Sequence, residues 1–579
     1  MFSENSIRVT AFVVGGVVLA VLIGWLSANI DGCGDKKEVV ARPAKDYVLV
    51  AIEGDVDNFN PLFAEDVTAG EINDLLFPGL LDAKFDTASG TLRYLPSLAT
   101  RWEFENGNRD VTFHLRSGVK WSDNVAVTAQ DVQLSYKLYG DTGVASVRQT
   151  SVDGLLKTKG GLFDPQRAVE VIDDSTVRFH FSRPYSGQLF DAGLPILPIH
   201  QYGKYRRSEL RHADINRQPL SSGPFLFSSW KPMQEIVLAT NPASVLPHPA
   251  KTSKLIFRVI PDYQTRLLQF RKGEIDVLPY INAADAIDLI KHHPEFVITQ
   301  MGERFYDAIN WNNIDGDAYA SSKGKRIVPH PLFGSVNVRR ALTIAINRAE
   351  ILDAYVRPFG RECFAPISPI FKWAYNDTLG PLPYEPDIAK KLLLAEGWRD
   401  ANGDGILEQR GRKFAFTLKV PSGNELRTAI AAVVQSKLRE IGIDVKIELV
   451  ERAAFWESVM EKRFDACIAG FSVPLQMQLD ELWGSNLQRS RFNLTSFRNE
   501  RIDAILAGAK TVTSDSAYAA QWKEFQYIIR SQQPCTFLYW MNDLVAINKR
   551  LEGTDVGILG ITRHAERWQI HESVAEGSR

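Results

Sequence analysis

Hydrophobic and polar positions form their clearest pattern between residues 424 and 449. Apolar residues recur every three or four positions over residues 424–441, and Gly442 stands where such a helix would end. After the glycine, apolar and polar residues alternate strictly over residues 443–449. Helix faces repeat every 3.6 residues and strand faces every two, so this segment predicts a helix, a glycine cap and a strand. The unit indicates an α/β fold.

Four other segments show similar patterns. The apolar run at residues 47–52 predicts a buried strand, and residues 101–117 predict a β-hairpin that turns at Asn106-Gly107. Residues 128–139 predict a helix that begins with a threonine cap, and the apolar spacing at residues 336–356 predicts one further helix. Helices and strands therefore alternate along the chain, as in α/β proteins.

Length and composition limit the class of protein. A chain of 579 residues is too long for one ordinary core, and a typical size of about 150 residues per domain predicts two to four domains. With 45% hydrophobic and 23% charged residues, the composition is that of a soluble globular protein. The formal net charge is −2 and no basic block occurs, which argues against a nucleic-acid partner.

The N-terminal segment, residues 1–33, differs from the rest. Residues 11–26 are uncharged and fit the apolar part of a signal peptide or a short membrane anchor. Residues 30–33 resemble a bacterial lipoprotein processing site, although Asp31 departs from the usual small or apolar residue. Lipidation of Cys33 and an uncleaved anchor helix both stay open. Either one places the residues beyond a linker at 34–46 on the outer side of a cell-envelope membrane.

Sequence motifs of common catalytic and metal sites are absent. The chain has no G-x-S-x-G, H-E-x-x-H, C-x-x-C or phosphate-binding P-loop. His292 and His293 are adjacent, so they point to different sides of any helix or strand and predict a solvated loop. Cys363, Cys467 and Cys535 are an odd number at wide spacings, which predicts no disulfide framework. The sequence therefore predicts a protein that is no enzyme and has no cofactor or metal.

The segment DANGDG at residues 400–405 has the spacing of the first ligands of an EF-hand calcium loop. That loop requires a bidentate carboxylate at its twelfth position, where this chain has Gly411. Residues 384–396 before it predict a helix, but residues 414–420 after it alternate like a strand. We therefore interpret the segment as a turn between a helix and a strand.

Seven stretches carry a family resemblance in the same order along the chain. The longest is LPSLATRWEFENGNRDVTFHLRSGVKWSDNVAVTAQDVQLSY at residues 95–136. The others are EGDVDNFNPLF (53–63), SGPFLFSSW (222–230), FRKGEIDVLP (270–279), VNVRRALTIAINRAEI (336–351), YEPDIAKKLLLAEGW (384–398) and FDACIAGF (464–471). Together they resemble the family 5 extracellular solute-binding proteins, which include the peptide-, dipeptide- and oligopeptide-binding receptors of ABC importers. The resemblance spans about residues 47–545.

The resemblance implies a two-lobed α/β fold of the type II periplasmic binding proteins, with an extra subdomain and a ligand cleft between the lobes. The chain would cross between the lobes near residues 305–312 and near residue 520. The implied segments are 47–94, 217–305 and 521–575 for lobe I, 95–216 for the subdomain on lobe I, and 306–520 for lobe II.

The resemblance also implies three ligand-binding segments. They lie in loops, where open α/β sheets bind ligands at strand ends and where backbone groups can bind a peptide main chain whatever its side chains. The implied residues are Phe63 and Ala64; Pro421, Ser422 and Gly423; and Phe471, Ser472, Val473 and Pro474.

One position departs from the family pattern. Peptide receptors of this family carry an aspartate where this chain has Pro474, and that carboxylate pairs with the α-ammonium of the ligand. A desolvated ammonium without a charged partner is costly. Asp480 and Glu481 follow six or more residues later and could substitute only if the loop folds back. It stays open whether the ligand lacks a free amine, binds it differently, or is an oligosaccharide, a nickel complex or an opine-like molecule.

The function implied is that of a monomeric substrate-binding component of an ABC importer. It would capture a peptide or peptide-like ligand and deliver it to permease and ATPase subunits in the membrane. An envelope sensor of the same fold is the alternative, and the sequence of one chain does not separate the two.

Overall fold

The computed structural model describes residues 46–571. The predicted apolar segment at residues 11–26, Cys33 and the linker up to residue 45 lie outside the described residues. Within the part that is described, no helix is both long and apolar enough to cross a membrane.

The strands are numbered in chain order. They are β1 (Tyr47–Ile52), β2 (Leu81–Asp86), β3 (Thr91–Pro96), β4 (Ala99–Glu105), β5 (Asp110–Leu115), β6 (Val169–Asp173), β7 (Thr176–His180), β8 (Phe225–Lys231), β9 (Glu235–Thr240), β10 (Lys254–Val259), β11 (Val277–Pro279), β12 (Phe296–Gln300), β13 (Phe305–Trp311), β14 (Gly360–Glu362), β15 (Glu408–Gln409), β16 (Arg412–Lys413), β17 (Ala415–Pro421), β18 (Asp444–Val450), β19 (Ala466–Ser472), β20 (Cys535–Met541), β21 (Leu544–Asn548), β22 (Leu551–Glu552) and β23 (Gln569–Ile570).

The α-helices are numbered in the same way. They are α1 (Val67–Leu76), α2 (Ala129–Gly140), α3 (Pro165–Ala168), α4 (Gln188–Asp191), α5 (Ile199–Tyr202), α6 (Tyr263–Arg271), α7 (Ala283–His292), α8 (Gly316–Ser321), α9 (Val336–Ala345), α10 (Arg348–Tyr355), α11 (Pro386–Ala395), α12 (Glu425–Arg439), α13 (Arg452–Met460), α14 (Asp480–Trp483), α15 (Glu500–Ala509) and α16 (Asp515–Gln532).

Two large sheets organise the described chain. The seven-stranded sheet has the order β12-β21-β11-β1-β10-β9-β8, in which β1 pairs in parallel with β10 and β11. The six-stranded sheet has the order β14-β20-β13-β19-β17-β18, in which β17 pairs in parallel with β18 and β19. A smaller antiparallel sheet, β4-β5-β7-β6, lies within the predicted subdomain.

The central strands of each large sheet are buried on both faces. Val50 packs in the cluster shared with the subdomain, whereas its neighbour Leu49 packs against α6 and α7. Ile309 and Ala308 in the six-stranded sheet likewise belong to two different clusters. Because a strand covered on both faces has no polar side, its sequence is a continuous apolar run, as at Tyr47–Ile52.

The chain crosses between the two large sheets at two adjacent places. It leaves the seven-stranded sheet after Gln300 and enters the six-stranded sheet at Phe305, and it returns between Met541 and Leu544. Gln300 is paired with Leu544 and Phe305 with Met541, so the two crossings run side by side. Strand β20 therefore belongs to the six-stranded sheet, although the predicted boundaries placed residues 521–575 with lobe I.

Most of the few elements that local patterns predicted are present in the structure. The helix expected at residues 424–441 is α12, whose N-cap Asn424 accepts a hydrogen bond from the Arg427 amide, and Gly442 has φ +83°. The single helix expected at residues 336–356 was wrong. The chain breaks between α9 and α10, because Ile346 is extended and Asn347 caps α10 by accepting from the Glu350 amide at 3.2 Å.

The segment at residues 400–405 is a turn, as interpreted from the sequence. Asp400 accepts hydrogen bonds from the amides of Gly403 at 2.8 Å and Gly405 at 3.0 Å, and Asp404 forms an ion pair with Lys413. These carboxylates serve the local backbone and the β15–β16 hairpin. Among the described residues, no group of three or more histidine, cysteine or acidic side chains is arranged to hold a metal ion.

Candidate functional site

Two of the predicted segments lie at one edge of the six-stranded sheet. Strands β17 and β19 are parallel neighbours, so their carboxyl ends share that edge. The Ser422 amide donates to the Val450 carbonyl at 2.7 Å, and Gly423 turns the chain with φ +81°. Ser422, Gly423 and Ser472 are exposed. Backbone and hydroxyl groups at this edge are therefore available to a ligand.

A buried ion pair between Asp307 and Arg427 lies next to this edge. Asp307 of β13 is 2% exposed and accepts two hydrogen bonds from Arg427, at 2.8 and 3.0 Å, and one from the Tyr539 hydroxyl at 2.8 Å. Burial lowers the pKa of the Arg427 guanidinium, but the adjacent Asp307 carboxylate outweighs burial and raises it. Arg427 lies in the first turn of α12, directly after the loop of Gly423. The pair thus fixes that loop against the central strand.

The loop after β19 is tied to the other half of the molecule by Arg304. The Val473 amide donates to the Arg304 carbonyl at 2.9 Å, and the Arg304 guanidinium donates to the carbonyls of Val473 at 3.3 Å and Ile558 at 3.4 Å. Burial lowers the pKa of Arg304, and Asp543 opposes that shift. Arg304 belongs to one of the two crossings, and no sequence motif singled it out.

Phe63 and Ala64 are packed into the core beside the seven-stranded sheet. Their side chains are 6% and 7% exposed, and both amides donate to the Asn60 carbonyl. The Arg211 guanidinium lies 4.5 Å from the Phe63 ring centroid. What the structure shows for these two residues is packing, and their ligand-binding role stays a prediction.

Asp480 does not replace the aspartate that is missing at position 474, because its carboxylate is paired with Lys510. The Pro474 carbonyl accepts from the Met477 amide at 3.0 Å, so the chain turns at once. Asp480 then lies 3.0 Å from the Lys510 ammonium, and Glu481 is exposed at the start of α14. The charge of Asp480 is therefore already neutralised by a lysine.

The two halves of the molecule also touch on one side, through residues that sequence reasoning missed. Phe85 of β2 packs edge-on against Phe371, with ring centroids 6.3 Å apart. The Ser186 amide donates to the Val512 carbonyl at 2.8 Å. These pairs are separated by hundreds of residues in sequence, and no local signal could have indicated them.

Comparisons with known proteins give the family. The sequence model of the bacterial extracellular solute-binding proteins, family 5 Middle, matches residues 93–482, which is more than half of the chain. The oligopeptide-binding protein AppA of Bacillus subtilis (strain 168) is 29% identical over 547 residues, which cover 93% of this chain and 94% of AppA.

Solved structures show the same two-domain α/β fold. AppA from Bacillus subtilis, in complex with a nonapeptide, has a TM-score of 0.70 at 28% identity and covers 91% of this chain and 99% of its own. NikZ from Campylobacter jejuni, in complex with Ni(L-His), has a TM-score of 0.72 at 22% identity with the same coverage. With the family model, the fold and the sequence relatives in agreement, this chain belongs to the bacterial extracellular solute-binding proteins of family 5.

Proposed function

We propose that this protein is the substrate-binding component of an ABC-type importer, which captures a peptide or peptide-like ligand between two lobes. The observation that carries the proposal is the pair of exposed loops at the shared edge of β17 and β19, in a molecule whose two large sheets are joined by two short crossings. The similarity to an oligopeptide-binding relative over 93% of the chain supports a peptide as the ligand class.

The lobes follow from the sheets. Lobe I would hold the seven-stranded sheet and carry the subdomain, and lobe II would hold the six-stranded sheet with β20, up to Met541. Closure about the crossings buries the ligand, and the ligand shifts the open–closed equilibrium only by its greater affinity for the closed form. The protein is then a binder, and permease and ATPase subunits supply transport and ATP hydrolysis.

The N-terminal segment would hold the protein at the membrane. Either lipidation of Cys33 or an uncleaved helix at residues 11–26 raises the effective concentration of the binding lobes near the permease. Mass spectrometry of the intact protein from bacterial membranes distinguishes the two, because only lipidation removes residues 1–32 and adds acyl mass at Cys33.

The proposal is tested by identifying the bound ligand and by measuring peptide binding. Protein purified natively from cells is analysed by native mass spectrometry, and unliganded protein is then titrated with a mixture of peptides while its melting is followed. We expect a bound peptide mass and a higher melting temperature. Ser472→Trp, which places a bulky group at the exposed sheet edge, should abolish both, whereas Ser208→Trp on the exposed subdomain surface should not. Protein that carries no small molecule and shows no peptide-induced shift would contradict the proposal.

A further inference from the structure

A cavity of about 410 Å³ lies in the half built on the seven-stranded sheet, between α1 and the ends of β1 and β11. Its walls are mainly apolar, from Ile52, Phe257 and Ile561. Val67, at 64% exposure, and Tyr280, at 50%, add large exposed apolar side chains to its lining. The volume falls within the roughly 300–1,000 Å³ of small-molecule sites, which are largely apolar with a few placed polar groups.

Glu71 supplies the placed polar group. Its carboxylate accepts hydrogen bonds from the amides of Ile561 at 2.8 Å and Thr562 at 3.1 Å, and from the Thr562 hydroxyl at 3.0 Å. Burial raises the pKa of Glu71, against the effect of these hydrogen bonds. Among residues 46–571, no lysine, arginine or histidine nitrogen lies within 4.0 Å of its oxygens. The carboxylate is thus held in place without a countercharge.

The other ionisable groups of the lining leave the cavity negative. The charged ones are Glu53, Asp66 and Arg266, and Tyr280 adds a neutral hydroxyl. The Arg266 guanidinium donates to the carbonyls of Ile260 at 2.6 Å and Pro261 at 2.8 Å, and it lies 3.9 Å from Glu53. Arg266, the basic side chain of this lining, is therefore directed at Glu53 and the backbone. Glu71 and Asp66 have no basic partner within the lining.

The loop at residues 558–562 connects the cavity to the segment that contains Pro474. Ile561 and Thr562 bind Glu71, and Ile558 of the same loop accepts from Arg304, which also donates to the Val473 carbonyl. The neutral Pro474 follows Val473 directly. For a cationic group of the ligand that finds no partner at Pro474, Glu71 offers a carboxylate without a countercharge in lobe I.

We propose that this cavity is a ligand subsite for an amphipathic cation, an ammonium or guanidinium on a short apolar stem, with Glu71 as its charge partner. The proposal rests on the proposed function, since the cation belongs to the captured ligand. The apolar walls receive the stem, and the Glu71 carboxylate receives the charge. The cation has two chemical sources, the α-ammonium of a peptide or a basic side chain.

Four tripeptides separate the sources in calorimetric titrations of the full chain: Ala-Lys-Ala, Ala-norleucine-Ala, and the N-acetylated form of each. The acetylated norleucine peptide has no cation, and the others carry one at the side chain, one at the α-amine, or both. We expect wild-type protein to bind at least one cationic peptide about 10- to 100-fold more tightly than the acetylated norleucine peptide, the scale of a buried charge pair.

Two variants connect the preference to the cavity. Glu71→Gln should remove the preference and leave the affinity for the acetylated norleucine peptide unchanged, whereas Glu65→Gln, an exposed glutamate outside the lining, should retain it. Val67→Lys at an exposed position should also remove the preference, and Val67→Gln should not; this pair leaves the hydrogen bonds of Glu71 intact.

The outcomes are distinct. A wild-type protein that binds all four peptides equally, or variants that weaken all four by the same factor, would overturn the subsite while the peptide proposal stands. A wild-type protein that binds none of the four but is stabilised by the peptide mixture would overturn the subsite alone, and one that responds to neither would overturn the peptide proposal and the subsite with it.

Discussion

Replacing Asp307 with asparagine tests whether the buried ion pair with Arg427 stabilises the six-stranded sheet. Asp307 is 2% exposed and accepts three hydrogen bonds, two of them from the Arg427 guanidinium. The amide keeps the shape but removes the negative charge, so Arg427 is left as an uncompensated buried cation. Breaking such a pair costs about 3–5 kcal/mol, because the remaining charge keeps its desolvation penalty.

The assay is urea unfolding followed by tryptophan fluorescence, with the free energy of unfolding from linear extrapolation. Asp307→Asn should lower it by the stated amount with an unchanged slope. The double variant Asp307→Asn with Arg427→Met should recover part of the loss, since no buried charge then remains. Asp404→Asn is the matched control, because its ion pair with Lys413 is exposed and should contribute little.

Two results would refute this reasoning. If Asp307→Asn unfolds at the same urea concentration as wild type, the carboxylate does not stabilise the buried guanidinium. The second result concerns the double variant. If it loses at least as much free energy of unfolding as the two single variants lose together, the penalty does not come from the uncompensated charge of Arg427.

Three further predictions follow from single positions. A Cβ at Gly470 would meet the Tyr306 carbonyl, so Gly470→Ala should lower the free energy of unfolding by about 1–3 kcal/mol or more. Gly70→Ala is the control and should not lower it, because nothing lies within 4 Å of a Cβ there. Equal effects of the two changes in urea unfolding would contradict the clash. Burial raises the pKa of Asp191 to about 7, although the Tyr185 hydroxyl donates a hydrogen bond to it. Between about pH 4 and pH 7 the folded state therefore keeps a proton that the unfolded state releases. The free energy of unfolding falls as the pH rises through that range. Asp191→Asn should remove about 3 kcal/mol of this fall between about pH 5 and pH 7, and parallel stability–pH curves for variant and wild type would exclude the shift. Pro474→Asp should raise the affinity for a peptide with a free α-amine about tenfold over its N-acetylated form, as measured by calorimetry, and an unchanged ratio would show that the ammonium does not reach this loop.

Local elements were predictable where neighbouring residues decide the conformation. The capping box of Thr128 and Asp131 and the glycine at 442 were read from sequence because the groups they satisfy lie within four residues. The family resemblance, and no local pattern, placed the loops after β17 and β19 among the expected ligand-binding segments, and the parallel pairing of the two strands shows that these loops share one edge. By contrast, the break at Asn347 interrupts an apolar spacing that is equally compatible with one helix, since a side-chain cap competes with helix continuation there.

Tertiary contacts set the rest of the site. Glu71 meets the amides of Ile561 and Thr562, 490 and 491 residues away, and Arg304 meets Val473 and Ile558, 169 and 254 residues away. Spacing carries no information on such pairs, because each residue alone resembles any surface charge. The sheet to which β20 belongs could not be read from the sequence for the same reason. An apolar strand fits either large sheet, and the pairing of β20 with β13 and β14 selects the six-stranded one.

The side-by-side crossings have a mechanical consequence. Two short linkers that run together bend or twist as a pair and resist sliding, so the proposed closure of the two lobes would be restricted to essentially one angle. The crossings span only residues 301–304 and 542–543. A single distance between two dyes, one on each lobe, would then report the whole motion, and its histogram in single molecules would read the gain or loss of ligand as a switch between two peaks.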